Sequence, residues 1–171
     1  SLIILLITFF IISALISNSA YCQNNGIPDF PKLKAVLVVG PQEHGTEGAI
    51  QKMKKIEEFL KENNIKVYSF YGHKAVWSDI VEKANGANFF IYAGHGTTLG
   101  KKGAVGGLCL DQYVHVSTMN EQLKLNKNAL VIFKSVCYGA GSSASDIKEI
   151  SLKEAVKRVN NYAKSFFDSG A

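Results

Sequence analysis

Two uninterrupted apolar runs constrain the fold more than anything else in the chain: NFFIYAGHG at 88–96 and ALVIFKSVC at 129–137. Apolar stretches of this length, without polar alternation, read as strands buried on both faces of a parallel sheet. In such sheets ligands bind just beyond the carboxyl ends of the strands. Each run ends on a reactive side chain, His95 or Cys137. If the strands are neighbours, an imidazole stands beside a thiol at the binding edge. The imidazole can take the proton of the thiol or hold it as thiolate, which activates the sulfur as a nucleophile.

The first segment does not belong to that folded body. Residues 2–16 are apolar apart from Thr8 and Ser13, and small residues lead on to Gln23. A spanning helix needs about 20 apolar residues, so a shorter apolar stretch before small residues reads as a secretory signal over 1–22, cut after Ala20 or Cys22. An uncleaved anchor is the alternative. Neither Met nor a basic residue precedes the run, so the true start is expected to lie upstream. The expected location is secreted or periplasmic, with no membrane contact beyond the signal segment.

Residues 23–33, with Pro28 and Pro31, form an extended lead-in to a single domain over 34–171. Strands are expected at 35–39, 65–71, 87–92 and 129–137. Helices are expected at 46–61, where apolar residues recur at three and four, and at 77–84, with Ser78 or Asp79 near its start. A flexible glycine-rich loop at 94–107 precedes a small strand pair within 108–117 and a helical turn at 119–125. Ser151 and Glu154 have capping-box spacing at the head of a last helix. Leu152, Ala155, Val156, Val159, Ala163, Phe166 and Phe167 make its apolar face, and Gly170 ends it. Strands alternating with helices imply an α/β fold, a mostly parallel sheet with flanking helices. So full a helix face needs more sheet than four strands offer, so a further strand is expected beyond Ala171.

The chain carries +5, from 19 basic and 14 acidic residues. Its lysines are scattered and its one arginine is Arg158, without the clustered basic face and stacking aromatics of a nucleic-acid reader. Three cysteines, Cys22, Cys109 and Cys137, are too few for a disulfide framework. Once Cys22 is removed, a bond between the other two in an oxidising compartment would block the nucleophile. His44, His73, His95 and His115 lack metal-ligand spacing, so no metal is expected. The glycines and lysines at 94–103 could cradle an anion, as in a flavodoxin-like domain, yet no Walker pattern is present and no cofactor is expected.

An apolar strand ending in His95-Gly96, with a second ending in Cys137 after it, resembles the caspase-like cysteine peptidases, the group of caspases, legumains, clostripain and gingipains. The resemblance covers roughly 35–171 and implies a three-layer sandwich, truncated at its C-terminal end, that cleaves peptide or protein substrates. It implies that His95 acts as general base and acid and Cys137 as nucleophile, with the amides of Gly96 and Cys137 facing the oxyanion. Ser135-Val136 stands where caspases have Gln-Ala and where metacaspases have an acidic residue two positions before the cysteine. Asp146 is a candidate substitute for that acid, and His44, after the first strand, a candidate substrate contact. The alternative within the same family is a non-catalytic module kept for binding or assembly in a larger exported protein. Oligomeric state is not legible.

Overall fold

A computed structural model describes residues 32–96, 106–144 and 146–171. The signal segment, nearly all of the lead-in and most of the glycine loop therefore lie outside the described residues. Within the unit Lys32–Ala171, the elements in chain order are β1 (Lys34–Val39), α1 (Thr46–Glu62), β2 (Lys66–Tyr71), a 3-10 turn (Gly72–Lys74) and α2 (Trp77–Ala84). Then come β3 (Phe89–Ala93), β4 (Gly107–Cys109), β5 (Tyr113–His115), α3 (Val116–Gln122), β6 (Leu130–Lys134) and α4 (Leu152–Phe167).

Four strands pair in the order β2-β1-β3-β6, all parallel. The fold is α/β, with a parallel sheet between helices. Alternation along β1 divides its side chains between two cores. Ala35, Leu37 and Val39 join Met53 and Leu60 of α1 on one face. Val36 and Val38 join Phe90, Tyr92, Trp77, Ile80, Met119 and Phe166 on the other. Burying each such large apolar side chain is worth about 1.5–3 kcal/mol, so β1 and β3 anchor the fold. A small antiparallel pair, β4 with β5, stands apart from the main sheet.

Three local expectations are corrected. The last strand ends at Lys134 rather than at Cys137, because Ser135 turns left-handed at φ 59°. Nor is that strand buried on both faces: it is the sheet's edge, with Val131 and Phe133 turned inward while Leu130 and Ile132 are 52% and 41% exposed. The last helix buries Tyr162, Ser165 and Phe166, whereas Leu152 is 80% exposed and Phe167 68%. Val159, Ala163, Phe166 and Phe167 of the stripe line one hollow with Leu130, Val131 and Phe133 of β6, while the N-terminal part of the stripe, at Leu152 and Val156, stays exposed. The helix α2 runs over the expected residues with Ser78 and Asp79 in its first turn, and no side chain caps it at Val76.

The serine at the head of α4 does cap it, Ser151 Oγ accepting from the Glu154 N–H at 3.3 Å. Gly170 turns at φ 123° against the Leu125 carbonyl, where a Cβ would come within 2.8 Å. No helix among the described residues is long and apolar enough to cross a membrane.

Candidate functional site

Parallel register brings four chain exits to one edge. Ala93 pairs with Lys134 and with Val39, and Val39 pairs with Tyr71. The exit segments therefore gather beyond the same carboxyl edge: 40–45 after β1, 72–74 after β2, 94–96 after β3 and 135–144 after β6. His95 and Cys137 leave neighbouring strands, two residues beyond β3 and three beyond β6.

The β6 exit is a tight turn. Ser135 and Tyr138 flank it in the left-handed region at φ 59° and 67°, a conformation that costs non-glycine residues about 1–3 kcal/mol each. It persists because the surroundings hold it. Tyr138 N–H donates to the Ser142 carbonyl at 3.0 Å, and Gly139 N–H to the Val136 carbonyl at 3.2 Å. Arg158 of α4 stands over the Tyr138 ring, 5.0 Å from its centroid, and donates to the Gly141 carbonyl at 3.3 Å. The lone arginine thus pins the loop that carries the thiol.

The β3 exit is fixed by a buried phenol. Tyr92 Oη donates to the His95 carbonyl at 2.8 Å and accepts from the Cys109 N–H at 3.2 Å. Burial pushes this phenol far up, so it remains a donor. Gly96 is buried, and a Cβ there would lie 2.2 Å from the Cys137 carbonyl oxygen and 2.5 Å from Tyr162 Oη. Only glycine lets the two exits touch. Among the described residues, neither the Gly96 nor the Cys137 N–H donates to a protein acceptor.

Two hollows open here. One, of about 480 Å³, is lined by Phe133, Ser135, Cys137, Gly139, Ser142 and Ala144 among others. The other, of about 490 Å³, is lined by Pro41, Gln42, Glu43, Thr46, His73 and His95. The His95 side chain is exposed, Cys137 is half-buried, and no hydrogen bond joins ring and sulfur among the described residues. Cys137 lines the first hollow and His95 the second.

The two remaining candidates, Asp146 and His44, stand in different surroundings. Asp146 is bound elsewhere: one Arg158 nitrogen lies 2.9 Å from each of its oxygens, and the Ser143 N–H donates to it at 2.8 Å. The Ser143 amide, with Arg158, holds this carboxyl below its ordinary value against a smaller opposing effect of desolvation. It braces the loop and offers no free charge to a substrate. His44 is exposed in the bend before α1 and does not line the His95 hollow, where Glu43 and His73 stand instead. Sequence reasoning passed over these two, although Gly72-His73 comes after its strand much as Gly94-His95 comes after β3. It missed Tyr92 and Tyr162 as well, since an apolar-run tyrosine gives no sign of where its hydroxyl goes.

Among the described residues no three histidine, cysteine or carboxylate side chains converge as a metal site. No family model matches the chain, and no curated protein matches it.

Proposed function

We propose that this chain is a caspase-like cysteine endopeptidase domain, exported behind its apolar leader, that hydrolyses peptide or protein substrates through a Cys137-His95 dyad. The observation that carries the reading is the pairing of β3 with β6 in register, which sets His95-Gly96 and Cys137 side by side, their two amides without an acceptor among the described residues. In the proposed reaction the Cys137 thiolate attacks the peptide carbonyl. The oxyanion so formed accepts from the Gly96 and Cys137 amides, each donor being worth about 2.7–4 kcal/mol in acyl transfer. His95 protonates the departing amine, leaving a thioester, and then takes a proton from the water that cleaves it.

The second reading, a non-catalytic module of the same fold, is favoured by one observation, the missing hydrogen bond between the His95 ring and the Cys137 sulfur. A peptidyl ketone carrying a leaving group separates the two, because its capture needs both an activated thiol and an oxyanion site. Labelling confined to Cys137 and lost in His95→Ala supports the peptidase. A folded wild-type chain whose Cys137 stays unlabelled supports the module.

A further inference from the structure

A second cysteine lies against the same glycine. Cys109 closes β4, and Leu108 beside it forms an antiparallel bridge with Gly96. The Cys109 N–H also donates to the His95 carbonyl at 3.2 Å. From the other side, the Cys137 carbonyl rests on Gly96. One hydroxyl ties the two segments: Tyr162 Oη lies 3.1 Å from the Gly107 carbonyl of β4 and 3.4 Å from that of Cys137. Leu108 is fully buried in the core, so the alternation along β4 turns Cys109 to the opposite side. Both thiols are free and half-buried, open to a small oxidant. Burial, and after it the charge of Cys137, push the Cys109 thiol up, which makes Cys109 the slower of the two toward an electrophile.

We propose that Cys109 and Cys137 form a reversible disulfide under peroxide, with Cys137 oxidised first and Cys109 resolving it, and that this bond switches the site off. The Cys137 thiolate attacks one peroxide oxygen, the O–O bond breaks, and sulfenic acid and hydroxide form. The Cys109 thiolate then attacks that sulfur, the S–S bond forms and a second hydroxide leaves. Two thiols lose two electrons and two protons, and one peroxide becomes two waters. The effect on catalysis rests on Cys137 being the nucleophile; the bond itself does not.

The test treats the full chain with hydrogen peroxide and maps its peptides without reduction, circular dichroism confirming the fold. The expected result is a Cys109–Cys137 linked peptide, with Cys137 alkylation lost and restored in full by dithiothreitol. In Cys109→Ser, and in Cys109→Ala as a second variant, Cys137 should instead pass to sulfinic acid, which dithiothreitol does not reverse. Sulfinic acid at Cys137 of the folded wild type beside an unreacted Cys109, or pairing of Cys137 with Cys22, overturns the proposal. A linked peptide in a chain whose Cys137 ignores the peptidyl ketone would leave the disulfide standing and remove the peptidase reading. The converse result would remove the disulfide alone.

Discussion

Replacing Gly96 by alanine tests the contact on which the site is built. The added methyl would meet the Cys137 carbonyl oxygen at 2.2 Å, Tyr162 Oη at 2.5 Å and Val136 Cγ1 at 2.7 Å. The first of these is backbone, so the obstacle cannot rotate away, and either β3's exit or the Cys137 turn must shift. Overpacking of this kind costs about 1–3 kcal/mol. At about 2–4 °C per kcal/mol for a domain of this size, Tm should fall by about 2–12 °C. Gly48→Ala is the control of opposite sign. Gly48 sits exposed in α1 with nothing within 4 Å of its added carbon, so helix propensity alone should stabilise the chain by about 0.5–1 kcal/mol. Urea denaturation of both variants reads the two signs against wild type. A Gly96→Ala chain as stable as wild type would refute the close approach of the two exits, and with it the oxyanion geometry.

The corrected face of α4 predicts that Phe166→Ala, at a position 2% exposed, costs about 3–5 kcal/mol, while Leu152→Ala stays within about 0.5 kcal/mol of wild type. Equal losses in urea melts would restore the stripe read from the sequence. Asp146 has its carboxyl held below the ordinary 3.8 by the Ser143 amide and then Arg158. A depressed carboxyl contributes stability that is complete above its unfolded value and is lost as pH falls through the folded one. The stability difference between wild type and Asp146→Asn should therefore be flat above about pH 5 and shrink below about pH 4, as measured by thermal melts across that range. A difference that instead grows on acidification would contradict the Arg158 clamp.

The sheet was legible because its central strands are apolar without interruption, the pattern that burial on two faces favours. Phe90, Ile91 and Tyr92 meet core on both sides, and the sequence pattern says so. The run at 130–134 looks the same on paper, yet it stands at the edge with one side uncovered. Periodicity reports what a strand could bury, and neighbours decide what it does bury. The stripe of α4 is covered unevenly as well, with Phe166 buried while Leu152, Val156 and Phe167 stay exposed. His95, Gly96 and Cys137 could be read as lying on the exits of adjoining strands, although β6 ends three residues before the cysteine. What could not be read was the set of long-range hydroxyl contacts from Tyr92 and Tyr162, or the claim of Arg158 on Asp146, because partners so far apart in the chain leave no local signature.

The most direct test of the proposed dyad is the pH dependence of iodoacetamide alkylation at Cys137 in wild type and His95→Asn, with Cys109 as an internal reference. A dyad predicts fast alkylation of Cys137 extending well below about pH 8.5, the value of a free thiol. In the variant that limb should collapse to the ordinary thiol profile, with Cys109 unchanged. Identical Cys137 profiles in the two proteins would mean that the imidazole and the sulfur do not act on each other.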